Sequence, residues 1–160
     1  MSTQLREGVE VRAWVAFLRA HAAVTRQFNQ ELVAEHGLTL NDYEVLLYLS
    51  RAPDRMMRRV DLANSVLLTP SGITRLLEGL ERAGYVARVA CAKDARVAYA
   101  KLTDAGYDKL RTASRTHVAD IRQLFGELYD EDELETLAAL LARLPGASGE
   151  SDCSPPGLRA

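Results

Sequence analysis

The stretch TPSGITRLLEGLERAGYVARVACAKDARVAYAKLTDAG, Thr69 to Gly106, narrows the choice of fold more than any other part of the chain. Thr69 is placed to cap a helix, and Pro70 falls at the first helical position, where its missing N–H costs nothing. Ile73, Leu76, Leu77 and Leu80 then recur at helical spacing, with Ser71, Thr74, Arg75, Glu78 and Arg82 on the opposite face and Gly84 as the stop. YVARVAC and VAYAKL follow as short alternating runs on either side of a charged knot, Lys93-Asp94-Ala95-Arg96, the pattern of a β-hairpin. Thr103 caps another helix at once. A chain that turns from a short capped helix into a hairpin and straight back into a helix has few folds open to it.

The rest of the sequence is helical. Val11, Trp14, Val15, Leu18, Ala22, Thr25, Phe28 and Leu32 keep a 3.6-residue period and predict a long first helix from about Glu10 to Glu35, ending near Gly37. Thr39, with Asp42 in the capping-box position, opens a second helix through YEVLLYLSRA that Pro53 closes. A short strand is expected at Met57 to Arg59, and VDLANSVLL reads as a short third helix. After Thr103 a long helix runs to about Tyr129, with Tyr107, Leu110, Ser114, His117, Ile121, Leu124 and Leu128 along one seam. Asp130 and Glu133 form a capping box before a last helix striped by Leu134, Leu137, Leu141 and Leu144. The tail 146–160 is rich in Pro, Gly and Ser, lacks apolar periodicity, and is expected to be disordered.

Charge is distributed unevenly. The formal net charge is −2, but residues 51–101 carry net +5 between segments of net −2 and −5. Screening confines each charge's influence to about 10 Å, so a local basic face attracts phosphates whatever the total. Arg55, Arg58, Arg59, Arg82, Arg88 and Lys101 all belong to this basic stretch. Cys91 and Cys153 are too few for a disulfide framework, and His21, His36 and His117 show no ligand spacing, so neither metal nor cofactor is expected. No apolar run approaches the ~20 residues that span a bilayer, and the first residues lack a signal-peptide core, which points to a cytoplasmic protein. No phosphate loop, nucleophile elbow or metal motif suggests an enzyme.

Two short helices with a tight connection and a polar outer face, followed by a hairpin, make a winged helix-turn-helix pattern. The residues MMRRVDLANSVLLTPSGITRLLEGLERAGYVAR and KDARVAYAKLTDAG resemble the MarR family of winged helix-turn-helix transcription regulators, most specifically in Asp94-x-Arg96 followed by Leu102-Thr103-x-x-Gly106. The expected fold is mainly α with a small β-hairpin wing: a DNA-binding lobe over 38–103, flanked by dimerisation helices in 1–37 and 104–145.

The resemblance implies a homodimer on double-stranded DNA, with two recognition helices about one helical turn apart on a pseudo-palindrome. The DNA-binding set is then Thr69, Ser71, Thr74, Arg75, Lys93, Asp94 and Arg96. Arg75 is placed to meet guanine in the major groove. Asp94 and Arg96 emerge on the same side of an extended segment, so the carboxylate can orient the guanidinium toward a narrow minor groove. Lys93 adds a phosphate contact. The family also implies a small lipophilic or phenolic effector, for which Trp14, Arg19, His21, Tyr43 and Tyr48 are the candidate lining residues. Two other readings stay open at this point: a winged-helix module for protein contacts, and a redox-sensing regulator using Cys91.

Overall fold

The computed structural model describes residues 8–66, 68–91 and 97–145. The chain divides into two compact units, Met1–Leu40 and Asn41–Ala160. The N-terminal unit holds α1 (Val9–His36), which ends where Gly37 takes a left-handed conformation at φ 64°. There the Gly37 N–H donates to the Val33 carbonyl and the Leu38 N–H to the Leu32 carbonyl, closing the last turn. The Leu40 N–H donates to the Asn29 side chain over 3.0 Å. Trp14, Phe17 and His21 stack along one side of α1, with ring centroids 6.2 and 6.3 Å apart.

The second unit runs α2 (Leu40–Arg51, whose first residue closes the N-terminal unit), a 3-10 turn (Pro53–Arg55), β1 (Met56–Arg58), α3 (Arg59–Ser65), α4 (Pro70–Arg82), β2 (Val86–Ala90), β3 (Ala98–Leu102), α5 (Asp104–Leu128) and α6 (Glu131–Leu141). The expected hairpin is present and gains a third strand, giving an antiparallel sheet in the order β1-β3-β2. The first strand begins one residue earlier than the sequence suggests. Met56 pairs with Lys101 and Met57 with Ala100, so Arg59 leaves the ladder to open α3, where its side chain meets Glu81 at 3.8 Å.

One apolar core serves this unit. Val45, Leu46 and Leu49 of α2, Leu62 of α3, Ile73, Leu77 and Leu80 of α4, Val86, Ala100 and Leu102 of the sheet and Leu110 and Ala113 of α5 are all buried. Val86, Ala100 and Leu102 share one face of the sheet, as the register Val86↔Leu102 and the two-residue alternation require. Three of the helix starts legible in the sequence are capped in the structure as expected. Thr69 accepts from the Gly72 N–H, Thr103 from the Gly106 N–H, and Asp130 and Glu133 form a reciprocal capping box.

Polar groups cross the core between α2 and α5. The Tyr43 hydroxyl lies 3.1 Å from Ser114 Oγ, and the Tyr43 ring meets His117 edge-on with centroids 4.9 Å apart. Tyr43→Phe removes one buried hydrogen bond and keeps the ring. It is expected to lower unfolding free energy by about 1 kcal/mol, read by urea denaturation with the m-value unchanged.

Candidate nucleic-acid interface

The amphipathicity of α4 builds the site. Ile73, Leu77 and Leu80 are buried, which turns Ser71, Thr74, Arg75, Glu78 and Arg82 outward, all exposed. The helix is 13 residues long, or about 20 Å at 1.5 Å per residue, the right size for a major groove about 12 Å wide.

Hydrogen bonding sorts the hydroxyls along this face. Thr69 Oγ1 accepts from the Gly72 N–H at 3.1 Å and lies 3.3 Å from Ser71 Oγ, so Thr69 serves the helix as its cap. Thr74 Oγ1 donates to the Pro70 carbonyl at 2.8 Å. With its proton engaged there, Thr74 presents an acceptor and a methyl group, the latter suited to a thymine methyl. Arg75 forms no ion pair with any described residue, leaving its guanidinium donors available.

Two glycines interrupt α4, each costing a helix interior about 1 kcal/mol relative to Ala. A Cβ at Gly72 would lie 3.1 Å from Thr69 Oγ1, so the cap itself favours glycine there. A Cβ at Gly79 would meet nothing within 4 Å, and the protein's own packing gives no reason for it.

The cations of the basic stretch fall into two groups that spacing alone did not separate. Arg55 donates to Asp104 Oδ1 at 3.1 Å and lies over the Tyr107 ring, 4.2 Å from its centroid. It follows Asp54 in a turn where both residues adopt left-handed backbone, φ 52° and 54°, and these contacts pin that turn to the start of α5. Arg59 is largely buried against Glu81, bracing α3 against α4. Arg58, Arg82, Arg88 and Lys101 are exposed and pair with no described acid. Arg58 lies opposite Tyr99, and Lys101 opposite Met56, so both occupy the sheet face turned away from the core. Arg55→Ala is therefore expected to leave the slope of log affinity against log salt unchanged, whereas losing a phosphate contact flattens it by about one; titrating DNA at several salt concentrations measures it.

The wing is anchored at its base. Thr103 Oγ1 donates to the Gly84 carbonyl at 2.7 Å, and the Thr103 N–H donates to the Tyr85 carbonyl at 3.1 Å. Thr103 thus caps α5 and ties it to the end of α4, where Gly84 turns the chain at φ 78°. At the far end the Cys91 N–H donates to the Val97 carbonyl at 3.1 Å. Lys93, Asp94 and Arg96 lie outside the described residues, as do Cys153 and the tail expected to be disordered. Cys91 is half-buried.

Of the five candidate effector residues, Trp14, Arg19 and His21 lie on α1 and Tyr43 and Tyr48 on α2. On α1, Trp14 and His21 flank Phe17 in one stack, while Arg19 projects about 140° around the helix from Trp14 at 100° per residue. Tyr43 is in the core and Tyr48 is exposed. Two apolar grooves lie along α6 and the end of α5. The larger, about 440 Å³, is formed by Ile121, Arg122, Phe125, Gly126, Leu134, Leu137, Ala138 and Leu141.

Comparison with known proteins places this geometry. A family model described as MarR family matches residues 36–97. The uncharacterised HTH-type transcriptional regulator YkoM of Bacillus subtilis is 30% identical over 128 residues, covering 79% of this chain and 80% of that one. The HTH-type transcriptional repressor YetL, also of Bacillus subtilis, is 30% identical over 111 residues, 69% of this chain and 66% of its own. Among solved structures, Sco3205 from Streptomyces coelicolor, a MarR family transcriptional regulator in complex with DNA, superposes with a TM-score of 0.77 at 26% identity, covering 90% of this chain and 91% of that one.

Proposed function

Because the chain belongs to the MarR family of winged helix-turn-helix transcription regulators, we propose that it acts as a homodimeric repressor that occupies a pseudo-palindromic promoter site. Membership makes it a DNA-binding transcription regulator rather than an enzyme. On DNA, each α4 enters a major groove, with Ser71, Thr74 and Arg75 toward the bases. The wing residues Lys93, Asp94 and Arg96 reach the adjacent minor groove and backbone.

The observation that carries this reading is the outward face of α4: capped by Thr69, anchored by Ile73, Leu77 and Leu80, with Arg75 exposed on it and in no ion pair with any described residue. The exposed cations Arg58 and Lys101 on the sheet support it by supplying phosphate contacts. Repression is supported by the likeness to YetL, a transcriptional repressor, and DNA as the ligand by the likeness to Sco3205, whose structure contains DNA.

Dimerisation is supported by apolar surface that no monomer of this size leaves bare without use. Trp14 on α1 is 57% exposed and Leu128 at the end of α5 is 63% exposed, with Phe17, Leu18, Leu140 and Leu144 also open. A second copy is the partner that covers such stripes in a symmetric regulator, and it doubles the DNA contacts. A small lipophilic or phenolic effector completes the proposal, with Trp14, Arg19, His21, Tyr43 and Tyr48 as its candidate contacts.

The test is selection of bound fragments from the source genome, followed by titration of the recovered site. Nanomolar affinity that falls steeply with salt, and a two-fold-symmetric site, support the reading. Weak, sequence-indifferent binding, or a monomer by analytical ultracentrifugation at micromolar concentration, overturns it. A panel of aromatic acids and phenols that leaves both DNA affinity and melting temperature unchanged removes the effector.

A further inference from the structure

The outward face of α4 carries a negative charge where a purely phosphate-seeking surface would have none. At about 100° per residue, Glu78 projects between Thr74 and Ser71, within about 20° of Ser71. It is exposed, three residues after Arg75 and four before Arg82. Neither arginine, nor any other described residue, pairs with this carboxylate.

DNA gives it a narrow use. A carboxylate only accepts hydrogen bonds, and most of what the major groove offers also accepts: guanine O6 and N7, thymine O4, adenine N7 and the phosphates. Against any of these Glu78 is repelled. Only exocyclic amino groups donate there, and adenine N6 stands beside the acceptor N7 of its own ring, whereas cytosine N4 stands beside C5–H. The neighbouring residue has no side chain. Gly79, on the flank next to Arg75, has open space where a Cβ would be, which lets this level of the helix sit close to the groove wall.

We propose that Glu78 is a specificity-determining residue, accepting a hydrogen bond from cytosine N4 in each half-site and rejecting sites that place an acceptor or a phosphate against it. The proposal rests on the reading of α4 as the DNA-recognition helix. It assigns opposite duties to two residues on one face: Arg75 contributes affinity wherever guanine is offered, and Glu78 withholds affinity wherever cytosine is not.

The experiment is selection from a random-sequence duplex pool with the full-length protein and with Glu78→Gln, followed by titration of the best site and of a scrambled duplex. Glutamine has the same shape and sits on an exposed position, so the melting curve is expected to stay unchanged. The wild-type profile is expected to contain a cytosine in each half-site that becomes degenerate in Glu78→Gln while the other positions hold. The ratio of affinities for the selected and scrambled duplexes is expected to fall on the order of tenfold, in part because scrambled DNA binds the variant more tightly.

Identical profiles and an unchanged ratio overturn the proposal, and so does a relaxed position that held any base other than cytosine. If the wild-type chain enriches no sequence at all, the DNA reading itself fails, which is a different result from a sharp profile indifferent to Glu78. Gly79→Ala tests the clearance: melting temperature is expected to rise, since alanine favours the helix, while affinity for the selected site falls. A rise in both overturns the role given to Gly79.

Discussion

Gly106→Ala is expected to destabilise the fold by about 3 kcal/mol, lowering the melting temperature by roughly 10 °C, although alanine is the better helix former. Gly106 is the third residue of α5 and is buried. A Cβ there would overlap the Tyr85 carbonyl oxygen and crowd Leu102 Cδ1 at 2.8 Å. The obstacle is backbone, which cannot swing aside as the end of a flexible side chain can. That same carbonyl accepts from the Thr103 N–H, so shifting it also disturbs the junction between wing and α5. Gly79→Ala is the control, because it makes the same change in a helix where nothing stands near the new atom. Differential scanning calorimetry of both variants checks the pair, and equal or higher melting temperature for Gly106→Ala would show that the junction is looser than the geometry states.

Arg75→Ala is expected to weaken binding to the selected operator by about 1–3 kcal/mol per half-site, at least tenfold in the dimer, with the melting curve unchanged. The side chain is exposed on α4 and holds no described residue in place, so its loss costs the fold little. The loss should fall on one guanine position, and binding to scrambled DNA should change much less. Arg96→Ala is expected to act differently if the wing enters a minor groove: the loss depends on A-tract content beside the half-site and disappears when that tract is replaced. Fluorescence anisotropy with matched duplexes separates the two patterns. Unchanged affinity in Arg75→Ala would remove the centre of the proposed interface.

Local signals carried a long way in this chain. Thr69, Thr103 and Asp130 each cap the helix their sequence context announces, because a cap is decided by a side chain and an N–H only two or three residues apart. The stripe of Ile73, Leu77 and Leu80 fixed which face of α4 is buried, and with it which residues face outward. The pairing of VARVA with AYAKL was equally legible from alternation around a charged turn. The strand at Met56–Arg58 was the weakest of these readings and shifted by one residue, since its register is set by β3, more than forty residues later.

What sequence could not separate was which basic residues are engaged within the protein. Arg55, Arg58 and Arg59 are near neighbours in one basic run, yet Arg55 meets Asp104 and Tyr107, Arg59 meets Glu81, and Arg58 stands exposed. Their partners are distant in sequence, and only the packing of α3 on α4 and of the turn on α5 brings them within reach. Thr74 is a local case: its hydroxyl proton goes to the Pro70 carbonyl four residues earlier, which leaves an acceptor and a methyl group facing outward. The sequence alone therefore determined the winged helix-turn-helix and the outward face of α4, because helical period, strand alternation and capping are short-range. Only the tertiary structure decided which charges that face and its sheet can offer a ligand, and why Gly106 must be glycine, because both depend on close approach between segments far apart along the chain.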